Sequence, residues 1–158
     1  MRGLDLSGTA EGAGGIGGLL ARSSGYQTNG SWTSHAFYHA DAGGNVTFLS
    51  PSTYSGTMTR YSYDAYGRTT SVSGPLATAN VYRFSSKELH AASGHYYYGY
   101  RFYDPQAQRW INRDPLGEAG GMNLYSHVEG DPNNGYDALG ESRGQRDRCR
   151  QGLLIRNE

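Results

Sequence analysis

Arg101 lies within His95-Tyr96-Tyr97-Tyr98-Gly99-Tyr100-Arg101-Phe102-Tyr103, beside a glycine and among tyrosines. A planar guanidinium placed there can stack on a ring and still aim its forked donor edge at a carboxylate. Carboxylates recur downstream in Asp114-Pro115-Leu116-Gly117 and in its near-copy Asp137-Ala138-Leu139-Gly140, whose aspartates are 23 positions apart. Taken alone, such aspartates read as turn or cap residues, as Asp104 and Asp131 do before Pro105 and Pro132. Other candidates are weaker. Gly12, Gly14 and Gly17 satisfy G-x-G-x-x-G, yet no hydrophobic strand precedes them and no convincing helix follows. A turn between strands is the better reading than a nucleotide site. His35 and His39 have a four-residue spacing that suits metal on a helix, but HAFYHAD alternates like a strand and offers no third ligand. The sequence therefore predicts neither a metal nor a cofactor.

The composition indicates what must position these residues. Only 36% of the 158 residues are hydrophobic, while Gly numbers 24 and Tyr 14. Aliphatic material for a core is scarce, so tyrosine rings must supply most of the buried area, each with a hydroxyl needing a partner. Many tyrosines among many turn residues read as short strands joined by tight loops. The expected class is all-β. Charge is balanced at 14 against 14, which gives no field to recruit nucleic acid or an acidic membrane surface. The basic residues are 13 Arg and the single Lys87, a bias toward paired or stacked guanidinium groups. Cys149 is the lone cysteine, so no internal disulfide forms. Neither a signal peptide nor a membrane span is legible, and no membrane insertion by this segment is expected.

Residues 1–30 are rich in Gly, Ser and Thr; Leu4 and Leu6 suggest one short strand, and Ile16, Leu19 and Leu20 another. Residues 31–94 contain a repeat. Tyr38-His-Ala-Asp41-Ala-Gly-Gly44-Asn-Val-Thr47 aligns with Tyr61-Ser-Tyr-Asp64-Ala-Tyr-Gly67-Arg-Thr-Thr70, giving the frame Y-x-x-D-A-x-G-x-x-T. That frame describes a hairpin: Tyr ends a strand, Asp bonds its own backbone, Gly takes positive φ and β-branched residues begin the return. Single hairpins are marginal in water, so these units are built for stacking in a longer array. Arg83-Phe84-Ser85-Ser86-Lys87 is expected to begin another strand. Over 95–140, period two places Tyr96, Tyr98, Tyr100 and Phe102 on one strand face and Tyr97, Gly99, Arg101 and Tyr103 on the other. Arg109-Trp110-Ile111 follows as a short strand. Asn123 is expected to cap a short helix, with Leu124, Tyr125 and Val128 on its apolar side and Gly130 ending it. In 141–158, Arg143, Arg146, Arg148 and Arg150 form a basic cluster, expected to be a disordered solvated tail and not a nucleic-acid contact.

The stretch YYYGYRFYDPQAQRWINRDPLGEAGGMNLYSHVEGDPNNGYDALG resembles the Rhs repeat-associated core. That segment ends the YD-repeat shell of bacterial Rhs polymorphic toxins and of insecticidal toxin-complex C subunits. The two Tyr-Asp repeats and the opening GLDLSGTAEGAGGIGGLLA are similar to the same proteins, so the resemblance covers roughly residues 3–140. It implies antiparallel YD-repeat hairpins forming part of a curved β-sheet shell, closed by the core segment. It also implies partners: the rest of the shell and a carboxy-terminal toxin domain. Eighteen residues after Gly140 are too few to bury a core, so no toxin domain is expected within 141–158. An exported or cell-surface bacterial setting is implied as well.

The resemblance further implies an aspartic-type self-cleaving site. Its aspartates map onto Asp114 and Asp137, and an assisting arginine maps onto Arg101. Peptide hydrolysis needs one carboxylate to activate water and a second, protonated, to assist the departing amine, and two close carboxylates share a proton readily. Two positions depart from the family pattern. Ala138 stands where the family carries Pro, which loosens the turn presenting Asp137. Glu141 follows Gly140 where the family has a hydrophobic residue, adding a carboxylate near the cleavage point. The alternatives are a non-catalytic structural or adhesive YD-repeat segment, with tyrosine faces stacking on sugars, and a truncated gene remnant.

Overall fold

The computed structural model describes residues 1–10, 12, 14–53 and 56–141, and the backbone of 143–145. Among the described residues eleven strands, all antiparallel, carry nearly all the regular structure. Five make one sheet in chain order: β1 (Ala21–Tyr26), β2 (Trp32–Ala40), β3 (Val46–Pro51), β4 (Thr59–Tyr63) and β5 (Thr69–Ser73). A second sheet joins β6 (Glu88–His90), β7 (His95–Tyr97), β8 (Phe102–Asp104) and β9 (Arg109–Trp110). The last pair is β10 (Gly135–Asp137) with β11 (Arg143–Gln145). Among the described residues no helix is long and apolar enough to cross a membrane.

The repeat frame is a hairpin in both copies. Asp41 Oδ1 accepts the Gly43 and Asn45 amides at 2.8 and 2.9 Å. Asp64 Oδ1 accepts those of Tyr66 and Arg68, both at 3.0 Å. Register slips at His39/Ala40 and at Ser62/Tyr63, so even the bulge repeats after 23 residues. Gly67 has φ of 85°, and a Cβ there would stand 2.5 Å from the Phe84 ring. Glycine is thus required at the hairpin tip both by backbone conformation and by close packing.

Two clusters form the core, the first mainly aliphatic and the second wholly aromatic. Leu19, Ala36, Val46, Leu49 and Tyr61 fill the first, while Phe84, Tyr96, Tyr98, Tyr103 and Trp110 fill the second. Tyr63 packs against both and joins the sheets. Half-buried Tyr63 donates its hydroxyl to the Val46 carbonyl at 2.8 Å, and buried Tyr103 donates to that of Tyr66 at 2.8 Å. This is how a chain poor in aliphatic residues builds an interior.

Several local expectations change. The described residues among 1–20 form turns with an Arg2–Leu19 bridge in place of two strands, because Asp5 bonds the Ser7 and Gly15 amides and curls the segment. Phe84–Ser86 is a 3₁₀ turn with Ser85 and Ser86 at positive φ, so the strand begins only at Glu88. The tyrosine run is a hairpin and not one strand: the chain reverses between Tyr97 and Phe102 around Gly99, with the Tyr98 amide bonded to the Arg101 carbonyl. The reversal changes the face parity, so Arg101 and Tyr103 are buried with Tyr96 and Tyr98 while Tyr100 is exposed. Helical structure in the core segment is confined to two 3₁₀ turns, Gly117–Gly120 and Val128–Gly130. Asn123 caps only a turn, accepting the Tyr125 amide at 3.1 Å. The tail is not wholly irregular, since Arg143–Gln145 pairs with Gly135–Asp137. Arg146, Arg148, Cys149 and Arg150 lie outside the described residues.

Candidate active site

The β7–β8 hairpin turn delivers Arg101 into the interior, where its side chain lies over Trp110 with 4.4 Å from the guanidinium carbon to the ring centroid. Asp114 and Asp137 each open a tight turn. Asp114 Oδ1 accepts the Leu116 amide at 2.8 Å. Asp137 Oδ1 accepts three successive amides, those of Leu139, Gly140 and Glu141, at 3.2, 2.7 and 3.1 Å. Their second oxygens converge on one cation. Arg101 Nη1 lies 2.9 Å from Asp114 Oδ2, and Nη2 lies 3.5 Å from Asp137 Oδ2. Relative exposures of 3%, 8% and 4% for Arg101, Asp114 and Asp137 make this a desolvated triad. Two carboxylates against one guanidinium leave an excess negative charge, which a single proton would balance. Burial raises the Asp137 pKa above the ordinary carboxylate value, outweighing the three amides and Arg101 that lower it.

The same guanidinium reaches the backbone beyond Asp137: its Nε donates to the Gly140 carbonyl, and Nη1 donates to that of Leu124 at 3.3 Å. The Gly140–Glu141 peptide is thus gripped at both ends, its oxygen by Arg101 and its nitrogen by Asp137. A cavity of about 380 Å³ adjoins it, lined by Arg101, Asp114, Asp137, Glu141, Glu129 and Asn123 among others. Water has room there beside both carboxylates.

No family model matches the chain. Toxin subunit YenC2 of Yersinia entomophaga is 50% identical over 50 residues, 32% of this chain and 5% of that protein. Toxin protein Tse5 of Pseudomonas aeruginosa is 40% identical over 62 residues, 39% of this chain and 5% of that protein. The crystal structure of TcdB2-TccC3-Cdc42 superposes on 80% of this chain with a TM-score of 0.68 and 29% identity, covering 6% of the matched chain. In sequence and in fold the chain is similar to the Rhs, YD-repeat region of toxin-associated proteins. This all-β segment spans about a twentieth of the length of these relatives.

Arg101, Asp114 and Asp137, the site residues that the resemblance implies, are brought into one cluster. The other early candidates lie elsewhere. His35 bonds Ser23 Oγ at 2.8 Å and His39 bonds Ser50 Oγ at 2.9 Å, on the five-stranded sheet. The glycine-rich loop directs the Gly15 amide to Asp5 and the Gly17 amide to Ser86. Two neighbours were not legible as site residues. Lys87 was notable only as the single lysine, yet its Nζ donates to the Ala138 carbonyl at 2.6 Å. His127, with no sequence signal, is buried against Tyr103, Trp110 and Tyr98, and burial assisted by Arg101 lowers its pKa to about 3.

Proposed function

We propose that this Rhs segment cleaves its own backbone within residues 140–142, separating the shell from a toxin domain that follows it and that the shell encloses. One observation carries the reading: a single buried guanidinium bridges Asp114 and Asp137 while also holding the Gly140 carbonyl. Asp137, whose burial favours the protonated form, is the acid, and Asp114, which lines the same cavity, is the base. Asp114 takes a proton from water as the water oxygen bonds to the Gly140 carbonyl carbon. Charge developing on the carbonyl oxygen falls on Arg101 Nε, a preorganised donor in a site shielded from bulk water. The C–N bond then breaks as Asp137 protonates the Glu141 nitrogen, leaving a carboxylic acid on Gly140 and an amine on Glu141. Asp114 and Asp137 exchange protonation states, and solvent resets them.

The test is a reporter domain fused after Glu158 and followed on a gel. The unaltered chain should release the reporter, and Asp114→Asn or Asp137→Asn should slow release by at least about 100-fold, the usual scale of acid–base catalysis. Release unchanged by Asp114→Asn overturns the assignment. A purely structural reading draws on the turn hydrogen bonds of both aspartates, and it predicts no release by any variant.

A further inference from the structure

Lys87 is the one lysine of the chain and is 7% exposed, an unusual place for a group that is costly to desolvate. Its Nζ donates to the carbonyls of Ala138 at 2.6 Å and Gly14 at 2.9 Å, and stands 5.0 Å from the centroid of the Tyr98 ring. The carbonyls flanking the candidate scissile bond are therefore held in succession: Ala138 by Lys87, Leu139 by the Tyr100 amide and Gly140 by Arg101. Asp137 holds the amides of the same turn. Gly14 presses so closely that a side chain there would collide with the Ala138 carbonyl.

We propose that Lys87 is a positioning residue for the cleavage site: it fastens the Asp137 turn to the glycine-rich amino-terminal loop and holds an ammonium group near Asp137. The proposal rests on the self-cleavage reading. The charged groups facing it are Asp137 and Asp5, which favour its ammonium form, and Arg2, which opposes it; burial is the strongest influence and brings its pKa down to about 8. Coupling between Lys87 and Asp137 is reciprocal, so removing the ammonium raises the pKa of the acid. Cleavage, which needs that acid protonated, must then persist to higher pH. A merely structural lysine would change the height of the pH profile and not the position of its alkaline limb.

The experiment follows reporter release against pH in the full chain for the unaltered protein, Lys87→Met, Lys87→Gln and Lys87→Arg. Lys87→Met and Lys87→Gln should cleave roughly tenfold or more slowly at neutral pH, the scale of a displaced reacting group, with the alkaline limb moved upward. Lys87→Arg, which keeps the charge, should leave the limb in place. If Lys87→Met fails to fold, Lys87→Gln decides alone. Rates within twofold of the unaltered chain and an unmoved limb overturn the proposal. Amide exchange at residues 139–141, measured in an Asp114→Asn background, separates this proposal from the cleavage reading. Faster exchange on losing Lys87 supports the clamp even if no chain cleaves, and unchanged exchange refutes it.

Discussion

Replacing Arg101 by Met removes the cation and leaves a side chain of similar length. Asp114 and Asp137 would then face each other in the interior without the cation that bridges them, since both Oδ2 atoms bond this guanidinium. Breaking a buried pair by deleting one partner costs about 3–5 kcal/mol, and lost stacking on Trp110 adds to it. For a chain of this size that is a drop in Tm on the order of 10 °C. The deficit must depend on pH. Without Arg101 the folded-state pKa of Asp137, already raised by burial, rises further above its unfolded value, so as pH falls the folded chain takes up a proton more readily than the unfolded one. The penalty is therefore full near pH 8 and shrinks as pH falls toward about 4.5. Thermal melts at both pH values, on chains shown intact by mass, read this directly. A deficit below about 1 kcal/mol, or one equal at both pH values, would refute the desolvated triad.

Gly67→Ala should cost about 1–3 kcal/mol through positive φ and collision with Phe84, whereas Gly94→Ala, with similar φ and open space, should cost about 1; urea midpoints compare them. Tyr103→Phe removes the hydroxyl bonded to the Tyr66 carbonyl and should cost about 1 kcal/mol in the same assay. His127 has a folded pKa of about 3 against an ordinary value of 6.5, so the unfolded chain binds the proton first. Its contribution to stability is intact above pH 6.5 and is lost as pH falls toward 3. His127→Phe should blunt acid unfolding in that window, and a variant as acid-sensitive as the unaltered chain would contradict the buried neutral imidazole.

The hairpins were legible because their determinants are local. Asp, Gly and the flanking β-branched residues fix each turn within ten positions, and the frame repeats. Period two failed over 95–103 because a reversal at Gly99 shifts parity without a proline or an Asn-Gly pair to announce it. Arg101, Asp114 and Asp137 were found by motif resemblance, while their convergence depends on the turns that follow β7 and β9 and on β10. Lys87 and His127 were out of reach for a different reason. Their roles arise from contacts with Ala138, Gly14 and Trp110, 17 to 73 residues away, and no local pattern encodes such pairings.

The most direct measurement is the intact mass of the products from a chain carrying a reporter after Glu158, with Asp114→Asn and Asp137→Asn in parallel. Self-cleavage predicts two fragments whose summed mass exceeds the precursor by one water, a break within residues 140–142, and a single uncut mass for both variants. An uncut unaltered chain, a break elsewhere, or fragments that persist in the variants would contradict it.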